Sequence, residues 1–108
     1  MKWNILSSEQ QLDEIKKNSS TKPQVIFKHS TRCSVSSMAK SRLDREKENE
    51  KADFHYLDLI AHRSISNKIA EDFSIRHESP QILLIKNGEC IYDESHMGIN
   101  MGEIEEKF

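Results

Sequence analysis

Cys33 lies in the segment His29-Ser30-Thr31-Arg32-Cys33-Ser34-Val35-Ser36-Ser37, directly after the apolar run Val25-Ile26-Phe27 and at the start of a helix-like pattern. A thiol at the junction of strand and helix meets the unpaired N–H groups and the positive dipole end of the helix, which favour the thiolate, the nucleophilic form. Its neighbours Thr31, Arg32 and Ser34 are polar, and Arg32 adds positive charge, so the pattern points to an exposed reactive thiol rather than a buried structural one. Ser36 stands three residues on, where a dithiol redox site would carry its second cysteine. The resulting Cys-x-x-Ser leaves one thiol to work without an adjacent partner. Ser36 either donates its hydroxyl to the thiolate or is an ordinary first-turn serine, and His29 either tunes Cys33 or is merely solvated.

The second cysteine, Cys90, follows the turn-forming pair Asn87-Gly88. It either resolves a mixed disulfide on Cys33 or is a structural thiol. A residue just after a hairpin turn is expected far from the strand end that bears Cys33, which favours the structural reading. Two cysteines in 108 residues do not make the disulfide framework of a small secreted domain, so a reducing, cytoplasmic setting is expected. The five histidines are scattered and form no Cys/His cluster with zinc-ligand spacing, so no metal is expected. Charged residues make up 31% of the chain, but 16 basic against 18 acidic leaves a net charge of -2 and no field of one sign to hold nucleic acid. No apolar run reaches the roughly 20 residues that cross a bilayer, and the N-terminal residues do not read as a signal peptide, so no membrane role is expected. The length suits one domain over residues 1–108.

The elements that must position Cys33 read in order. Ser8 with Gln11 fits a capping box, and Leu12 and Ile15 recur at helical spacing, which predicts a helix from Ser8 to Lys17. Gln24 to Lys28 reads as a strand buried on both faces. From Ser34, the residues Val35, Met38, Ala39 and Leu43 form one stripe, which predicts a helix that runs on to Lys51 with a solvated end. Phe54 to Leu59 reads as a strand parallel to the first, and Ser64 caps a short helix bearing Ile65, Ile69 and Phe73. Pro80 opens a strand Gln81 to Lys86, and Asn87-Gly88 turns it into an antiparallel strand Glu89 to Glu94. Asn100 with Glu103 caps a last helix carrying Ile104 and Phe108, and Gly98 serves backbone geometry in the turn before it.

This order, with a cysteine after the first core strand and a proline opening the third, resembles the thioredoxin fold over nearly the whole chain: an α/β domain with a central mixed four-stranded sheet flanked by helices. Thr31-x-Cys33-x-x-Ser36 after His29-Ser30, followed by Ser79-Pro80-Gln81, Lys86-Asn87-Gly88 and Ser95-His96, resembles more narrowly the YtxJ-type family of bacillithiol-system proteins, the monothiol bacilliredoxins. The resemblance implies that Cys33 removes bacillithiol from protein mixed disulfides, with Ser36 beside it and with Thr31, Arg32, Ser79 and Pro80 as substrate-binding residues. The implied partners are bacillithiolated proteins and a second low-molecular-weight thiol that regenerates the enzyme. Bacillithiol then serves as thiol co-substrate, with no cofactor or metal. It further implies a cis Ser79–Pro80 bond, and Arg32 and Lys40 either attract the malate carboxylates of bacillithiol or are solvated. The Ser95-His96 pair matches the pattern without an evident mechanism.

Two other readings stay open at this point. A monothiol-glutaredoxin-like iron–sulfur carrier would use one cysteine per subunit, but such proteins read Cys-Gly-Phe-Ser where this chain has Cys33-Ser34-Val35-Ser36. A non-catalytic thioredoxin-like adaptor would dock a partner and leave Cys33 inert.

Overall fold

A computed structural model describes all residues from Met1 to Phe108. The elements are β1 (Asn4–Ile5), α1 (Glu9–Asn18), β2 (Gln24–His29), α2 (Ser34–Asp44), β3 (Asp53–Asp58), α3 (Arg63–Asp72), β4 (Gln81–Lys86), β5 (Glu89–Ser95), a 3-10 turn (His96–Gly98) and α4 (Met101–Glu105). The sheet has five strands in the order β1-β3-β2-β4-β5. The pairs β1–β3 and β2–β3 are parallel, and β2–β4 and β4–β5 antiparallel. No helix is long and apolar enough to cross a membrane.

The four expected strands form, and the fifth, β1, is the departure. It spans only two residues, too short to show an alternation, and is held by its pairing with His55 and Tyr56 of β3. Trp3 just before it stacks on Phe27 at 5.8 Å between ring centroids and donates its indole N–H to Asp44 Oδ1 at 2.6 Å.

Every residue of β2 is buried, because helices cover both faces of the sheet. Val25, Phe27, Phe54, Ile82 and Leu84 face Ala39 and Leu43 of α2 and Ile104 of α4. Ile26, Leu57, Leu83 and Ile85 face Leu12 and Ile15 of α1 and Ile65 and Ile69 of α3. The strand alternation thus sends one half of each strand into each core.

Local signals set the helix starts. Ser8 Oγ accepts the Gln11 N–H at 3.2 Å, and Gln11 Oε1 accepts the Ser8 N–H at 3.0 Å, which closes the predicted capping box. Asn100 Oδ1 accepts the Glu103 N–H at 3.2 Å at the start of α4. The start of α3 departs from expectation: its N-cap is His62, and Ser64 is the second helical residue. The side chain of Asp58, which accepts the Ile60 N–H at 3.0 Å, organises that corner.

Helix α2 also ends earlier than its charged continuation suggested, at Asp44 rather than Lys51. After Leu43 no apolar residue reaches the core until Ala52, so further turns would bury nothing. The Asn49 side chain instead accepts the Lys51 N–H at 2.9 Å. Within α2 the buried face is Ser36, Ala39 and Leu43, and Met38, assigned to the stripe by spacing, lies 56% exposed.

The hairpin forms as expected. Asn87 and Gly88 take φ of 54° and 76°, the left-handed pair that a two-residue turn requires. Ser19 at the end of α1 receives both turn amides: its carbonyl accepts the Asn87 N–H at 2.9 Å and its hydroxyl the Gly88 N–H at 2.8 Å.

Beside β2, the His55 ring bonds Gln24 Oε1 at 2.8 Å, and burial pushes its pKa from 6.5 down to about 4. The fold therefore disfavours the imidazolium, and the unfolded chain binds more protons between those two values. Stability is full above pH 6.5 and falls as pH drops towards 4, by at most about 3 kcal/mol from this ring. The carboxylates held low, such as Asp53, lose their contribution only below about 3.8. Urea unfolding across this range should show a falling midpoint for the native chain and a smaller fall for His55→Gln.

Candidate active site

The C-terminal end of β2 delivers the candidate site. Ser30 to Cys33 form a tight turn in which the Cys33 N–H bonds the Ser30 carbonyl at 3.2 Å. Cys33 is the N-cap residue of α2, with extended backbone (φ -112°, ψ 121°), and its carbonyl takes the first helical hydrogen bond from Ser37 at 3.1 Å. The N–H groups of Ser34, Val35 and Ser36 have no partner within the helix and lie at the helix end that bears Cys33, whose thiol makes no capping hydrogen bond. No acidic residue lies in this first turn. The thiol is half-buried and free, while Thr31 and Arg32 on the turn are exposed. An anion at this place meets donors and a favourable dipole, so the geometry suits a thiolate nucleophile.

Ser36, one helical turn on, is fully buried. Its hydroxyl oxygen accepts the Ser30 N–H at 3.0 Å and lies 2.8 Å from His29 Nδ1. It is therefore neither solvated nor an ordinary first-turn serine, and His29, 5% exposed, is not solvated either. Burial pushes the His29 pKa below its usual value, and Lys40 adds to this; Asp58, the Ser36 contact and Asp44 oppose it. The pairing of His29 with Ser36 was the main feature that sequence reading missed. A histidine seven positions before a first-turn serine carries no pattern of its own.

On the other face, Lys28 is completely buried, with its ammonium on the Ser66 carbonyl at 3.2 Å and His77 Nδ1 at 3.3 Å. Burial pushes it down from 10.5 to about 8. Lys40, weighed as an anion receptor, bonds Asp44 Oδ2 at 2.8 Å and lies over the Tyr56 ring, so of the two cations only Arg32 extends into solvent beside the thiol.

Ser79–Pro80 is cis, as the resemblance implied. The Pro80 carbonyl accepts the His96 N–H at 2.9 Å, and the His96 ring bonds Glu78 Oε2 at 3.1 Å. Ser95-His96 thus fastens the start of the 3-10 turn to the Pro80 segment, and that turn packs on α2. His96 holds φ at 56° to make this bond. A Cβ on Gly98 would come within 2.7 Å of Glu94 Oε1, the end of a flexible side chain, and the residue has no positive φ.

Cys90 lies elsewhere. It pairs with Ile85, which pairs with Gln24 at the opposite end of β2 from His29. Five strand steps of about 3.3 Å put roughly 16 Å between those ends, against the roughly 7 Å between Cα atoms that a disulfide tolerates. Burial pushes the Cys90 thiol up to about 11.

Residues 4–104 match the family described as monothiol bacilliredoxin BrxC. The chain belongs to that family. Its fold is that of the thioredoxins. A solved structure described as a candidate oxidoreductase with a thioredoxin fold is similar at 28% identity and a TM-score of 0.81, over 94% of this chain and 89% of that one. Thioredoxin from Malassezia sympodialis aligns at 19% identity and 0.72, over 98% and 87%. Thioredoxin from Fasciola hepatica aligns at 16% and 0.71, over 96% and 94%. These last two speak to the fold alone. Family and fold together place the chain among thiol–disulfide redox proteins.

The two thiols should differ sharply towards an alkylating reagent. At pH 7 a thiol with a pKa of about 11 is ionised in roughly one molecule in 10⁴. Brief treatment with iodoacetamide should give a single adduct that maps to Cys33, with Cys90 labelled at least about tenfold more slowly. Equal labelling of both would contradict the site described.

Proposed function

We propose that this protein is a monothiol bacilliredoxin that removes bacillithiol from protein mixed disulfides through Cys33. The observation that carries the reading is a single thiol at the N-cap of α2 with a serine, not a second thiol, one turn on, and the other cysteine at the far end of the sheet. The Cys33 thiolate attacks the bacillithiol sulfur of the mixed disulfide. The client sulfur leaves as a thiolate, and Cys33 carries bacillithiol. A second low-molecular-weight thiolate then attacks that bacillithiol sulfur and releases Cys33 as the thiolate. Such exchange favours an attacking thiol partly ionised at ambient pH.

Arg32, exposed beside the thiol, is suited to attract the bacillithiol carboxylates, and Thr31 lines the same turn. Ser36, buried one turn on, is assigned to the site with Cys33. The backbone of Ser79, next to Pro80, is the edge on which a client peptide would pair. The partners are bacillithiolated proteins and a free thiol, a chemistry that belongs in a reducing compartment such as the cytoplasm.

Incubation with bacillithiol disulfide should add one bacillithiol at Cys33, visible by intact mass and released by free thiol. Cys33→Ala should abolish debacillithiolation of a mixed-disulfide protein, whereas Cys90→Ala should retain most of it. Turnover that survives in the Cys33 variant would overturn the proposal.

A further inference from the structure

Arg76 and His77, which lead into the cis Ser79–Pro80 bond, are held by two buried polar side chains that the proposed reaction does not use. Lys28 and Gln81 stand directly opposite each other on β2 and β4, so their side chains share one face of the sheet. Lys28 is 0% exposed and Gln81 1%. Lys28 Nζ reaches His77 Nδ1 at 3.3 Å and the Ser66 carbonyl of α3 at 3.2 Å. Gln81 donates its side-chain amide to the Arg76 carbonyl at 3.0 Å, which closes the chain into a loop around Glu78, Ser79 and Pro80. Ser79 itself is left open. It lies outside β4, neither its N–H nor its carbonyl joins a hydrogen bond of the turns and loops, and its buried hydroxyl has no partner.

An ammonium can only donate, so His77 Nδ1 accepts from Lys28, and the ring is neutral with its proton on Nε2. The surroundings favour that form: burial, Lys28 and Arg63 lower the proton affinity of His77, and Glu78 opposes them. Lys28, pushed down to about 8 by burial, still carries its charge at pH 7. The contact is a charge-assisted hydrogen bond whose lysine end is shielded from water.

We infer that Lys28 and Gln81 are positioning residues for client binding: through His77 and Arg76 they fix the open Ser79 backbone on which a client peptide pairs. Both act from the α3 face of the sheet and take no part in the exchange at Cys33. Their effect falls on substrates with a backbone to pair, because a small disulfide reaches Cys33 without that edge.

The inference rests on Ser79 as the client edge, and not on bacillithiol as the group removed. Its test compares two probes of Cys33 in a Cys90→Ala background. One is 5,5′-dithiobis(2-nitrobenzoate); the other is a peptide whose single cysteine carries one nitrothiobenzoate. With the peptide, the Cys33 thiolate bonds to the peptide sulfur, the old S–S bond breaks and the coloured nitrothiobenzoate leaves as a thiolate, which gives the rate. His77→Ala should slow the peptide about tenfold, the size of one lost hydrogen bond to a charged group, and leave the small disulfide at the native rate. His77→Asn, which keeps an acceptor at the δ position, should restore the peptide rate. Lys28→Met should match His77→Ala, and the two together should be no slower than either alone, because both break one tie. Circular dichroism checks that each variant folds, and the exposed His77 carries the test if Lys28→Met does not. A folded His77→Ala variant that takes the peptide at the native rate overturns the inference. So does equal slowing with both probes, or a His77→Asn variant as slow as His77→Ala. Selective slowing of the peptide in a chain that exchanges no bacillithiol would support the inference and overturn the proposed substrate.

Discussion

The burial of β2 to its last residue is the constraint on which the rest depends. A strand covered by helices on both faces has no solvent to satisfy its polar side chains, so each must find a partner inside. Leaving such a group unpaired costs about 1–3 kcal/mol. Lys28 and His29 end the strand on opposite faces and meet the demand in opposite directions. Lys28 reaches the Ser66 carbonyl in α3 and the His77 ring, and His29 reaches Ser36 in the first turn of α2. The strand end is thus tied to both helix layers by the residues least comfortable there. The loop between His29 and α2 has little freedom left once Ser30 is held by Ser36.

Cys33 inherits its position from these ties. The thiol itself makes no capping hydrogen bond. What fixes it is the turn from Ser30 and the helix start behind it, and both are anchored through the Ser36 hydroxyl. Opposite, the Pro80 segment is held by the His96 amide, and His96 by Glu78. Both backbone segments are thus secured by a buried or clamped side chain, while the Cys33 thiol stays partly accessible. This is how a reactive group can be precise in place without being engaged in its own contacts.

Much of this was legible in the sequence, and the reasons differ by element. The capping box at Ser8, the Asn87-Gly88 hairpin and the Asn100 cap rest on interactions within four residues, so a local pattern carries them. The junction at Cys33 was readable because a buried strand and an amphipathic helix differ in period. The misses are tertiary. The strand β1 exists only through its pairing with β3, and α2 stops where burial stops rather than where helix propensity does. Met38 lies off the buried face because Ser36, a polar residue, lies on it. A hydrophobic stripe cannot be drawn correctly through a helix whose first buried side chain is a hydroxyl. The Lys28 amine was hidden for the same reason, since its burial depends on acceptors in α3 and beyond.

The missing second thiol and the tie at the strand end prove to be one feature. The third helical position is where a resolving cysteine would stand, and in this chain that position faces inward against His29 and the Ser30 amide. A thiol is a weak acceptor and a weak donor, and its sulfur is larger than a hydroxyl oxygen. It would satisfy neither partner well, and in a disulfide with Cys33 it would leave both unsatisfied. The hydroxyl serves both at once. A strand that ends in a buried histidine thus selects serine at this place, and serine there removes the local route for releasing a mixed disulfide. With Cys90 at the other end of the sheet, no thiol of the same chain can take over that step. In the reaction proposed above, regeneration would accordingly fall to an external thiol.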